Sequence, residues 1–440
     1  METPSFKEDH ISQIPALQML VNLGYTYLSP AEADRQRGGK TSNVLLEDVL
    51  RKQLKEINSI RVSATKTSIF KDDNIERGIL ALKNLPMNEG YIAASEKAYN
   101  LLTLGQALEQ SVDGDKKSFT LQYIDWKNIG NNVFHVSEEF SVMRSTSKEH
   151  YRPDLVLFVN GIPLCIIECK RPDMKEPLKQ AISQHLRNQQ EDGIRTLYVY
   201  SQLTLSIATQ EAAYATNATP EKFWAKWHEK FNSDEEERNY KNELQEFKNK
   251  PLPNAIKEQL FSDRFKYVRQ YFDALEQEQI LPTEQDNYLF GLCRPERLMD
   301  IVFNFVLFDN GEKKVARYQQ FFAIKKSMQR IKHVENLPDG KAGGKRKGGV
   351  IWHTQGSGKS LTMVMLAQAI AMEPSIRNPK IVLVTDRTDL DNQITGTFRK
   401  CGRFVENATT GQRLVELLEN KSDAVAVSYT HLTLPTKRIV

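Results

Sequence analysis

The chain has 440 residues, with 60 Lys and Arg against 56 Asp and Glu, and with 40% hydrophobic, 9% aromatic and 26% charged residues. These values exclude a disordered, collagenous or disulfide-scaffold protein and leave room for two to four domains. A formal net charge of +4 is small for this length, so affinity for nucleic acid must come from local patches. The longest apolar run, Leu155 to Ile167, is broken by Asn160, Gly161 and Pro163, and the start METPSFKEDH is too polar for a signal peptide. A cytoplasmic location is expected. Cys165, Cys169, Cys293 and Cys401 lack zinc-ligand spacing and read as ordinary buried thiols.

Along the chain, Leu46, Val49, Leu50, Leu54 and Ile57 recur at three- and four-residue intervals, predicting an amphipathic helix over 42–58 behind a Ser42 or Asn43 cap. Glu47 lies off that stripe and reads either as a surface carboxylate or as one that approaches a metal. From 132 to 170 the runs NVFHV, FSVM, DLVLFV and IPLCIIECK read as strands. A helix over 175–190 and a strand over 194–200 complete a compact α/β unit. Beyond Ser201 the segments FWAKWHEKF and SDEEERNYKNELQEFKNK predict charged, solvated helices that act as a connector. KAGGKRKGG at 341–349 reads as a flexible basic loop, either a linker or a phosphate contact. GVIWHTQGSGKSLTMVMLAQAIAM then predicts a buried strand, a glycine-rich turn and a helix, with KIVLVTD a further strand at βαβ spacing.

In HTQGSGKS, Gly356, Ser357 and Gly358 occupy that turn, and Lys359 and Ser360 open the helix. Glycine lets backbone N–H groups close around a phosphate, and the helix N-terminus adds partial positive charge. Lys359 can reach the β and γ phosphates and Ser360 can ligate magnesium; His353 stands where the strict pattern has glycine. Upstream, Arg317, Tyr318 and Gln319 read either as an adenine-recognising group or as a plain helix start. Downstream, Asp386 and Arg387 end a buried strand at its carboxyl end, where α/β ligands bind. Asp386 or Thr388 reads equally as a cap of the next helix.

RPDLVLFVNGIPLCIIECKRP carries Asp154, Glu168 and Lys170. Phosphodiester hydrolysis uses carboxylates to hold a divalent cation and a positive charge near the attacking water. A hairpin at Asn160-Gly161 returns the chain, but a strict two-residue turn places Asp154 and Glu168 on opposite faces. A three-residue loop with Gly161 in a bulge pairs Phe158 with Ile162 and sets Asp154 opposite Ile166. Asp154, Glu168 and Lys170 then share one face, and that bulge is the expectation. Cys165 and Cys169 fall on the other face, in the core.

With LCRPERLMDIVFNFVLF, KVARYQQFFAIKK, VIWHTQGSGKSLTM and VLVTDRTDLDNQ following in order, the chain resembles the restriction (R) subunit of type I restriction-modification enzymes. The resemblance implies an α/β chain: a PD-(D/E)xK endonuclease domain over 1–205, a helical connector over 206–280 and an incomplete first RecA-like domain of a superfamily 2 motor over 281–426. It implies a nuclease triad of Asp154, Glu168 and Lys170, with Asp154, Glu168 and Ser360 as metal ligands. Gly356, Ser357, Gly358, Lys359 and Ser360 fall on the ATP-binding loop, and Gln319 with Arg317 on the adenine-reading element. Of the family's Gln-x-x-x-Tyr element, Gln184 fits and Asn188 stands at the tyrosine position.

The implied cofactors are ATP and Mg2+, and the implied partners are double-stranded DNA and the modification (methyltransferase) and specificity subunits. The implied activity is ATP-dependent DNA translocation with double-strand cleavage of unmodified DNA. A motor-inactive fragment that acts as a nuclease-fold and nucleotide-binding module, or a stand-alone repair nuclease-helicase, are the alternatives. A Walker B acidic motif and a second motor lobe do not follow the phosphate loop, and VSYTHLTLPTKRIV resembles translated adaptor sequence. Residues 427–440 are therefore expected to be non-native.

Overall fold

The computed structural model describes residues 12–262, 265–336, 344–346, 348–376, 379–385, 388–408, 410–419 and 425–429. It divides into two compact units, Met1–Phe303 and Asn304–Val440. No helix among the described residues is long and apolar enough to cross a membrane.

The first unit is built on a six-stranded mixed sheet: β1 (Thr26–Tyr27), β2 (Phe134–Glu138), β3 (Leu155–Val159), β4 (Ile162–Lys170), β5 (Leu203–Ala208) and β6 (Glu211–Ala215), lying in that order. The β1–β2 and β4–β5 pairs are parallel and the others antiparallel. Every residue of β3 and β4 is buried, as the unbroken apolar runs require of strands covered on both faces. One face carries Val156, Phe158, Leu164 and Ile166 into a core shared with Leu46, Leu50 and Leu54. Helix α1 (Ile14–Asn22) contacts β2 and the later helices of the unit. Helix α2 (Glu47–Ile57) starts later than the spacing predicts, and its cap is Leu46, with no side-chain cap bond.

Helix α3 (Pro177–Asn188) packs over β4 and β5. The expected strand at 194–200 is instead the short helix α4 (Arg195–Tyr198), with Leu197 and Tyr198 buried, and the strand beside β4 is β5. An apolar run of this length does not declare its period, and the parallel place next to β4 goes to LTLSIA. The stretch 206–280, expected to be helical, also supplies half of β5 and all of β6. Its charged helix α5 (Asp234–Asn249) is capped by Ser233, whose hydroxyl accepts from Glu236 N at 3.2 Å. The helix packs into the first unit: Lys248 pairs at 3.0 Å with the fully buried Asp286 on α6 (Glu284–Cys293).

The second unit opens with a hairpin of β7 (Val306–Asp309) and β8 (Glu312–Val315), then α7 (Tyr318–Lys332). Val334–Asn336 and Gly344–Arg346 pair as a short hairpin, so part of the expected basic loop is strand, and 337–343 lie outside the described residues. After the phosphate loop come α8 (Lys359–Met372) and a parallel sheet of β9 (Val382–Thr385), β10 (Val405–Ala408) and β11 (Val425–Tyr429), in the order β9-β11-β10. The buried strand expected at 349–352 does not form: Val350 is 92% and Trp352 89% exposed. An apolar run becomes a strand only where a neighbour takes its ladder bonds, and among the described residues β9, β10 and β11 pair only with one another. β11 runs across position 427, and 430–440 lie outside the described residues.

Candidate active site and phosphate loop

The hairpin that carries the acidic residues turns at Asn160-Gly161, both with positive φ (51° and 81°), the type I′ geometry this dipeptide favours. Val159 therefore pairs with Ile162, and the expected three-residue loop is absent. The extra residue enters further along, between Pro163 and Cys165, after which Leu157 pairs with Cys165 and Leu155 with Ile167. Proline has no N–H for a ladder bond, so the bulge falls beside Pro163. The slip restores the parity: one step past Leu155–Ile167, Asp154 comes opposite Glu168 rather than Ile166. Gly161 is fixed by contact as well as φ, since a Cβ there would lie 2.5 Å from Leu46 O.

Asp154, Glu168 and Lys170 thus meet on one buried face. Asp154 Oδ2 accepts from Cys169 N at 2.6 Å and lies 3.7 Å from Lys170 Nζ, which also donates to Cys169 O at 2.7 Å. Glu168 is fully buried. Its carboxylate accepts from Gln184 Nε2 at 2.6 Å and from Asn188 Nδ2 at 3.3 Å, two amides one turn apart on α3. Asn188, at the position the family resemblance gives to tyrosine, therefore still reaches the acid. Cys165 and Cys169 are buried free thiols, as the parity argument expects.

Burial drives the Glu168 carboxyl well above the usual range, and the neighbouring Asp154 pushes it the same way against Lys170. Burial also raises Asp154, while Lys170 and the Cys169 N–H hold it down. Two acids forced together out of water are costly to ionise unless a cation joins them. Ser206, in register with Glu168 on β5, has a buried hydroxyl with no hydrogen-bond partner among the described residues, so an unmet polar atom remains on this strand pair. This oxygen-rich donor set fits a hard divalent cation. Glu47 takes no part: its carboxylate is engaged by Asn43 and Lys83.

In the second unit, Gly356 and Gly358 both adopt positive φ, 76° and 81°, and Gly358 caps α8. The first-turn N–H groups of α8 precede its earliest intrahelical bond, Thr362 N to Gly358 O at 3.0 Å. Lys359 is exposed, and Ser357 and Ser360 are half-buried. Ser357 Oγ donates to Thr354 O at 2.7 Å. Gln319 and Arg317 are exposed at the start of α7; it is the next residue, Gln320, that touches the loop. Gln320 Oε1 accepts from Arg317 N at 2.9 Å and Nε2 donates to Gly358 O at 3.2 Å, tying the two motifs together. An amide three residues after a helix cap is the sequence signal for half of this arrangement. Asp386 and Arg387 lie outside the described residues, as does the side chain of Thr388.

Residues 5–223 match the family described as Type I restriction enzyme R protein N terminus, and residues 319–435 match the SWI2/SNF2 ATPase family. The chain is 28% identical over 89% of its length to the type I restriction enzyme HindI endonuclease subunit of Haemophilus influenzae, covering 32% of that protein. It is 27% identical over 95% of its length to a protein of Methanocaldococcus jannaschii provisionally named the type I restriction enzyme MjaIXP endonuclease subunit, covering 36% of it. The type I restriction enzyme SauCOLORF180P endonuclease subunit of Staphylococcus aureus is 24% identical over 87% of the chain. The chain spans about a third of the length of these curated relatives.

Proposed function

Since this chain belongs to the type I restriction enzyme R protein family, we propose that it supplies the metal-dependent nuclease site and the ATP-binding loop of a restriction endonuclease subunit. In this reading the first unit is a PD-(D/E)xK nuclease domain and the second a RecA-like motor lobe. The observation that carries the reading is the buried Asp154–Glu168 pair with Lys170 beside it. Asp154 and Glu168 would hold a divalent cation, which when bound polarises the scissile phosphate and makes hydroxide available near neutral pH. Lys170 offsets the charge that builds on the phosphate oxygens. Gln184 and Asn188 hold the Glu168 carboxylate toward Asp154 and keep it from swinging into the core.

At the second site, the first-turn N–H groups of α8 and Lys359 bind the ATP phosphates, Ser360 meets their magnesium ion, and Gln319 and Arg317 meet the adenine. ATP-driven translocation and double-strand cleavage of unmodified DNA, together with the modification and specificity subunits, belong to the assembled enzyme. Phosphate contacts dominate DNA binding by this chain, which makes it salt-dependent. Nicking of supercoiled DNA by the chain in Mg2+ or Mn2+ tests the nuclease reading. We expect it in the wild type and not in Asp154→Ala; nicking that survives the substitution overturns the assignment.

A further inference from the structure

Beside the two α3 amides that hold Glu168 stands a third side chain the nuclease reading leaves idle. Arg187 lies three residues after Gln184 and next to Asn188, so it shares their patch of the helix surface. Unlike them it is exposed. Its guanidinium is nevertheless held: Nη2 donates to Asn188 Oδ1 at 3.4 Å, and the same amide donates through Nδ2 to Glu168 Oε1 at 3.3 Å. The cationic head therefore stands two hydrogen bonds from the buried acid. Its other contact is the ring of Tyr151, whose centroid is 5.0 Å from the guanidinium carbon, and Tyr151 precedes Asp154 by three residues.

A second guanidinium meets the same ring, and the two differ in what becomes of their charge. Arg144 lies 4.9 Å from the Tyr151 centroid, pairs with Glu149 and, at 2.6 Å, with Asp192, and donates through Nε to Asp192 O at 2.8 Å. Its charge is met within the protein. Among the described residues Arg187 pairs with no carboxylate, and Asn188 Oδ1 is the acceptor its guanidinium reaches. A planar cation that is held over an aromatic ring, exposed and not neutralised is pre-organised for an outside anion with two oxygens to offer. Less side-chain freedom is then lost when that anion binds.

We propose that Arg187 binds a backbone phosphate of the DNA strand beside the scissile one, laying the strand across Asp154 and Glu168. The proposal rests on the nuclease reading of those two acids. A strand whose scissile phosphate meets a cation held there carries its neighbouring phosphates past the mouth of the site, where the guanidinium stands. Such a contact positions the strand and reads no sequence.

The test is binding of a labelled duplex to the 440-residue chain by fluorescence anisotropy across a salt series, with Ca2+ in place of Mg2+. We expect the slope of log affinity against log salt to fall by about one in Arg187→Gln, and to be kept in Arg187→Lys, which retains the charge. Mn2+ binding, followed by electron paramagnetic resonance, should depend on Asp154 and should not weaken in Arg187→Gln, because a positive charge near the acids has been removed. An unchanged slope in Arg187→Gln, or no duplex binding by the wild type at low salt, overturns the proposal and leaves the metal site standing. Weaker Mn2+ binding in Arg187→Gln overturns it too, since Arg187 then serves only to hold Asn188 against Glu168. If Mn2+ binding by the wild type does not depend on Asp154, the nuclease reading falls and this proposal with it.

Discussion

The acidic cluster of the first unit and the phosphate loop of the second are both built to meet negatively charged phosphate, yet in opposite ways. Asp154, Glu168 and Lys170 are buried, and each is hydrogen-bonded or ion-paired within the protein before any ligand arrives. The phosphate loop offers exposed Lys359, half-buried Ser360 and unbonded helix-start N–H groups, with Gln320 as its side-chain tie to α7. A cluster of like charges in low dielectric has to be held in place by its surroundings. A loop whose donors are backbone amides needs only the right φ angles and a helix behind it.

The largest effect that separates the two regions is expected from Asp154→Ala. Losing the cation site removes several kcal/mol of transition-state stabilisation, about a thousandfold in DNA cleavage rate, while ATP binding, measured by equilibrium dialysis, stays unchanged. Reduced ATP binding in this variant breaks the contrast. Lys359→Ala is the mirror case: ATP affinity or turnover falls about a hundredfold, and Mn2+ binding is untouched. Gly161→Ala is expected to cost about 3 kcal/mol in chemical denaturation, from its positive φ and the clash with Leu46 O. A near-neutral result there shows that the turn does not hold the register.

The smallest effect is a slope with pH. Burial depresses the folded pKa of His185 from 6.5 to about 4, so the unfolded chain takes up the proton first. The stability that comes from keeping the ring neutral is full above about pH 6.5 and is lost as the pH falls toward 4. Comparing wild type with His185→Gln by denaturation across that range cancels the opposing titration of the raised carboxyls. The wild type should lose more stability than the variant as the pH is lowered, and parallel curves refute the buried neutral ring.

Much of the site can be read from the residue string. β2, β3, β4 and α3 fall where the apolar runs and helical spacing place them, and the need for one extra residue in the hairpin follows from the parity of Asp154 and Glu168 alone. Where that residue enters is also written there in hindsight, because Asn160-Gly161 favours a two-residue turn and Pro163 cannot complete a ladder. The run IRTLYVY carries no such clue. It becomes α4 because the space beside β4 is taken by β5, and that helix brings Tyr198 to His185.

What the sequence determined by itself is the chemistry on offer: two carboxylates and a lysine on apolar strands, and a glycine-rich turn before a lysine and a serine. Those follow from side-chain type, alternation and the freedom of glycine, which are local properties. Only the tertiary structure decided which groups hold them. Gln320 rather than Gln319 reaches the phosphate loop, Glu47 turns to Lys83, and Gln184 and Asn188 stand behind Glu168. Each depends on two segments far apart in sequence being packed together, and the energy of such packing is shared among many contacts that no short motif records.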